Sequence, residues 1–136
     1  NQLPNLEQFM FEPNRNQLNA VANVLVELQE YKCFYCNKPL KKGSYAVDHF
    51  IPWSMYPSDT GHNFVLADSS CNSKKSNLLA SNEFLHKWQE RNEEHNLIIV
   101  DRISVLGFLT DKERSHKVAE WAYSQGKENN YLLWMG

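Results

Sequence analysis

No stretch of the chain approaches the ~20 consecutive apolar residues that a membrane span requires, so no bilayer-crossing helix is expected. Glycine and proline are scarce, five of each in 136 residues, and neither an internal repeat nor a low-complexity tract is visible, which excludes collagen-like, linker-like and solenoid architectures. Cysteine is scarce too. The three residues are an odd number, too few for a secreted disulfide framework, and two of them stand as Cys33-Phe-Tyr-Cys36, a spacing that suits a metal site in a reducing compartment. A cytoplasmic location is therefore expected. An excess of positive charge is also missing: fourteen Lys and Arg against sixteen Asp and Glu give −2, which counts mildly against binding nucleic acid through bulk electrostatics. No signal peptide is visible, and a chain that opens on Asn1 is compatible with a fragment of something longer. What remains, with 42% hydrophobic and 12% aromatic residues, has the size and make-up of one compact globular domain over residues 1–136.

The average charge hides an asymmetry. Residues 1–30 sum to −3, residues 31–80 to +3 and residues 81–136 to −2, so the middle is the basic part. In the first third, Leu18, Val21, Ala22, Leu25 and Leu28 recur at spacings of three and four, which predicts an amphipathic helix over about 15–30, capped by Asn14 or Asn16. A turn-rich knuckle, 31–42, is followed by the β-branched and aromatic run 44–51, closed by Pro52, and by a polar loop over 54–63. Phe64-Val-Leu-Ala67 is too short for a helix and suits an antiparallel partner strand; a helix is expected over 71–79. The remainder, 81–136, reads as a helical extension. Its helices are expected from Ser81 to about Asn96, over 97–108, where the run Leu-Ile-Ile-Val favours a strand but Ile99, Ile103 and Leu106 fit a helical face, and from a capping box at Thr110-Asp-Lys-Glu113 to a stop at Gly126. Trp88, Trp121, Trp134 and Tyr123 are assigned to the core between these helices, Trp53 to packing under its loop, and His62, His86, His95 and His116 to the surface.

Polar residues stand in the 44–79 segment where a core would want apolar ones: Asp48-His49 at the end of the first strand, Asn63 at the start of the second, Asn72 and Lys75 one turn apart on the helix. Phosphodiester hydrolysis needs a base to deprotonate water, a hard cation on the scissile phosphate and positive charge near the phosphorane. A histidine side chain, whose reference pKa is ~6.5, is partly neutral near pH 7, so His49 is the candidate to take the proton. Asp48 and Asn72 offer hard oxygen ligands suited to Mg²⁺ or Mn²⁺.

The ordered set Asp48-His49-Phe-Ile-Pro52, Asn63-Phe-Val-Leu66 and Cys71-Asn72-Ser-Lys-Lys75 resembles the HNH endonuclease motif, the ββα-metal fold, over about residues 31–80. The resemblance implies an α+β fold with a hairpin-plus-helix core flanked by N- and C-terminal helices, and hydrolysis of DNA. It implies His49 as general base, Asp48 and Asn72 as ligands of a catalytic Mg²⁺ or Mn²⁺, Asn63 as the residue that pins the loop, and Lys75 as a phosphate neutraliser. Many members also hold a structural zinc with two Cys-x-x-Cys pairs. Here Cys33, Cys36 and Cys71 match three ligands and Asp68 replaces the fourth, so a Cys₃Asp zinc site is expected, with His62 as an alternative fourth ligand and loss of the zinc as a further one. The partner implied is DNA, with no membrane; restriction or phage defence is the role by analogy, and a homodimer or additional domains stay open. The alternative reading is a non-catalytic zinc-knuckle DNA-binding or adaptor module.

Overall fold

A computed structural model describes residues 14–136. In chain order its elements are helix α1 (Arg15–Leu28), strand β1 (Tyr45–His49), a 3₁₀ turn (Gly61–Asn63), strand β2 (Phe64–Asp68), and helices α2 (Ser69–Lys75), α3 (Asn82–Glu94), α4 (Asn96–Ser104) and α5 (Lys112–Glu128). The architecture is α+β, and its centre is the expected antiparallel hairpin followed by a short helix. Pairing runs from Tyr45 opposite Asp68 to His49 opposite Phe64, which places Asp48 opposite Val65.

The uninterrupted apolar run of β2 makes sense because both faces of that strand are covered. Phe64 and Leu66 point to one side, into a cluster with Val21, Val24 and Leu25 of α1 and Ile99 and Ile103 of α4. Val65 and Ala67 point to the other, into a cluster with Phe34, Phe50, Ile51 and Trp88 and with Ala119 and Ala122 of α5. Trp88 stacks on Phe50 with ring centroids 4.9 Å apart, so the helical extension completes the hairpin's core. The edge of β2 is finished by a side chain: Gln29 donates from Nε2 to the Leu66 carbonyl at 2.9 Å and accepts from the Leu66 amide at 2.9 Å, while the Phe34 amide donates to the same carbonyl at 3.0 Å.

Capping chemistry sets the helix starts. Asn14 and Gln17 form a reciprocal capping box on α1. Asp68 caps α2, which therefore begins at Ser69 and ends at Lys75, earlier at both ends than the sequence suggests. Asp111 caps α5 through the Arg114 amide, not a Thr110–Glu113 box. Gly126 does not stop α5 but lies inside it; a Cβ there would come 3.3 Å from Leu79 and 3.5 Å from Tyr131, so glycine lets the C-terminal tail fold back. That tail docks as expected: Trp134 donates to the Leu79 carbonyl and accepts from the Ser81 amide, both at 2.8 Å. Trp121 is not in the core but half exposed (50%), because the inward face of α5 is occupied by alanines. Among the described residues, no helix is long and apolar enough to cross a membrane.

Candidate active site and metal cluster

Asp48 and His49 end β1, and the turn after them is held by Asn63. The Asn63 side chain accepts from the Ile51 amide at 2.7 Å and donates to the Ile51 carbonyl at 3.0 Å, and its own carbonyl accepts from the Phe50 amide at 2.8 Å. The 3₁₀ turn that carries Asn63 is clamped from α3. Trp88 Nε1 and Arg91 Nη2 both donate to the His62 carbonyl, at 2.7 and 2.8 Å, and Arg91 Nη1 donates to the Phe64 carbonyl at 2.9 Å. Gly61 is required here by close approach: a Cβ would lie 2.8 Å from Thr110.

The His49 imidazole is half-buried, and its Nε2 lies 2.6 Å from Asp59 Oδ1. Asp59 belongs to the polar loop and has no counterpart in the sequence reading. Trp53 stands edge-on to the His49 ring, 5.6 Å between centroids, and is 46% exposed, so it is not packed beneath its loop. Asp48 is buried. Its Oδ2 accepts from the Tyr35 hydroxyl at 2.6 Å and lies 3.4 Å from Lys75 Nζ. Among the described residues, neither Asp48 Oδ1 nor the Asn72 side-chain amide has a hydrogen-bond partner within the protein. Asn72 is on α2, which packs on both strands. Both side chains offer hard oxygen donors of the type that Mg²⁺ and Mn²⁺ take.

Lys75 faces the opposite way from a phosphate-binding residue. It is fully buried, its ammonium donates to the His49 carbonyl at 3.1 Å, and its charge is spent on Asp48 because it lies on the face of α2 that packs on β1, whereas the neighbouring Lys74 is exposed. Burial lowers its pKa, and the Asp48 carboxylate works against that shift. Burial, followed by the neighbouring carboxylate, raises that of Tyr35, which keeps the phenol a proton donor.

Cys33, Cys36, Asp68 and Cys71 converge, with their ligand atoms all within 4.8 Å of one another. A tetrahedral zinc–thiolate site has edges of about 3.7 Å, so a contraction of about 1 Å would close this group on an ion. Asp68 has two duties. Oδ1 accepts from the Cys71 amide at 2.8 Å as the cap of α2, and Oδ2 accepts from the Cys36 thiol at 2.9 Å. The thiol bond first, then the amide, hold its carboxyl at about 2. Burial raises the Cys36 and Cys71 thiols. His62 is no part of this cluster and no surface residue. It is fully buried, with Nε2 2.8 Å from Asn96 Oδ1 and Nδ1 unpartnered. His116 is half-buried against the Trp88 ring.

Residues 33–81 match the HNH endonuclease family. The matched segment spans β1, β2 and α2 together with the cysteine knuckle, and includes the four residues of the group that could hold a metal ion. No curated protein matches the chain. Among solved structures, it is similar to the crystal structure of the Type II-C Cas9 enzyme from Actinomyces naeslundii, at 20% identity and a TM-score of 0.45, covering 67% of this chain and 11% of that one. The chain thus spans about a tenth of the length of that enzyme.

Proposed function

We propose that the chain is a metal-dependent HNH endonuclease that hydrolyses DNA phosphodiester bonds, with His49 as the general base. The contact between His49 Nε2 and Asp59 supports the reading most strongly. A neutral imidazole that donates from Nε2 to a carboxylate keeps its lone pair on Nδ1, so Nδ1 takes the proton from the attacking water. Asp59 then stabilises the imidazolium that forms. Asn63 fixes the backbone just after the base, and with it the direction of the ring. Asp48 and Asn72 would hold Mg²⁺ or Mn²⁺, which when bound supplies Lewis-acid stabilisation of the phosphorane and of the leaving oxygen. Lys75 holds Asp48 and the His49 carbonyl in place from below. Cys33, Cys36, Asp68 and Cys71 would hold a structural Zn²⁺, and the exposed Lys38, Lys41, Lys42 and Lys74 would line the path of the DNA backbone.

A plasmid-nicking assay with and without EDTA tests the proposal. Cleavage is expected in Mg²⁺, none in EDTA, and His49→Ala should lose about 10²- to 10⁴-fold in rate with the fold intact. A His49→Ala chain that cuts DNA at the wild-type rate would remove the assignment. A wild-type chain that binds DNA without nicking it would favour the adaptor reading.

A further inference from the structure

Tyr35 lies between the two cysteines of the knuckle, yet its hydroxyl reaches away from that cluster to the Asp48 carboxylate at 2.6 Å. Its ring is locked by edge-on contacts with Phe34, Phe84 and Trp134 at 5.0, 5.2 and 5.0 Å, and its amide donates to Cys33 Sγ at 3.4 Å. Three parts of the molecule thus aim one hydroxyl: the knuckle, α3 and the C-terminal tail. Both protein partners of Asp48 meet on the same oxygen, Oδ2, and the ammonium stands 3.4 Å off, beyond the usual range of an N–H···O bond. Without the hydroxyl, Lys75 would be the one remaining partner of a buried carboxylate among the described residues, and closing that gap would rotate the carboxylate and change the direction in which Oδ1 points.

We infer that Tyr35 is a positioning residue: by holding Asp48 Oδ2 against the pull of Lys75, it keeps Oδ1 presented to the divalent ion, and so ties the fold of the cysteine knuckle to metal binding at the active site. The inference rests on the proposed role of Asp48 as a metal ligand. It goes beyond that role by naming the group that sets the carboxylate's orientation.

The test is direct binding of Mn²⁺ to the full chain, followed by the EPR signal of the free ion, for wild type, Tyr35→Phe and Asp48→Asn. Tyr35→Phe keeps every ring contact, so its melting midpoint should stay within a few degrees of wild type. Its Mn²⁺ affinity should fall roughly tenfold to hundredfold, as for other lost partners of metal ligands. In the nicking assay the loss should appear as a higher Mg²⁺ requirement, with the rate at saturating Mg²⁺ within about twofold of wild type, because no reacting atom has been removed. Asp48→Asn should bind Mn²⁺ more weakly still. If Asp48→Asn loses binding while Tyr35→Phe binds as wild type does, the Tyr35 inference alone is overturned. If Asp48→Asn binds as wild type does, the metal role of Asp48 fails and the inference falls with it. A Tyr35→Phe chain that loses its fold would make the hydroxyl a purely structural group and would also overturn the inference.

Discussion

Asp59 reaches His49 Nε2 at 2.6 Å from ten positions further along the chain, and its side chain is only 10% exposed. A carboxylate so placed selects the tautomer of the imidazole and steadies the charge that proton transfer creates. Asp59→Ala is therefore expected to lower the rate of DNA nicking about 10- to 100-fold. Because Asp59 acts through His49, adding Asp59→Ala to His49→Ala should cost nothing further; comparing the single and double variants checks this. Neither Asp59 nor Tyr35 could be read from the sequence. An acid in a polar loop has no spacing rule that ties it to a histidine, and an aromatic between two cysteines looks like packing until its hydroxyl is seen on Asp48. Lys75 was legible as a member of the site but not its direction, which depends on which face of α2 packs on β1.

The elements were easier to read where local chemistry decides them. The apolar run and the β-branched run on either side of a polar loop gave the hairpin, and the 3.6-residue period gave α1. Helix ends were harder, since Asp68 and Asp111 win their caps through geometry that competing Ser and Thr residues nearby obscure. The 3₁₀ turn Gly61–Asn63 was not foreseen at all, because it is held by groups from α3 rather than by its own residues. That turn carries a pH-dependent weakness. His62 is fully buried beside Arg91, near His116 and Asp111, and burial lowers its pKa below the ordinary 6.5. A base whose folded pKa is depressed binds its proton more readily when unfolded, so stability is full above the unfolded value and falls as pH drops below it. His116, also lowered by burial, acts in the same sense. Urea denaturation should show stability declining from about pH 6.5 downward, by up to about 1.4 kcal/mol per pH unit for each histidine. His62→Gln should flatten the decline.

On the scale of the whole molecule, the HNH segment is not a separable unit. Trp88 fills the space over Phe50, Arg91 satisfies the carbonyls of His62 and Phe64, and α1 covers the other face of β2, yet all three lie outside residues 33–81. Residues 31–81 expressed alone should give a poorly dispersed NMR spectrum and no cooperative melt, whereas the full chain should melt in one transition. The same dependence explains why the family motif was readable and its support was not: the motif is local in sequence, while its scaffold is assembled from contacts far away along the chain. Gln29 belongs to that scaffold and has an effect of its own. By occupying both backbone groups of Leu66, a single primary amide imitates a neighbouring strand. A sheet so terminated offers no free pair of hydrogen-bonding groups at that point, and the strand most apolar in composition is thereby shielded from edge-to-edge growth with another copy of itself.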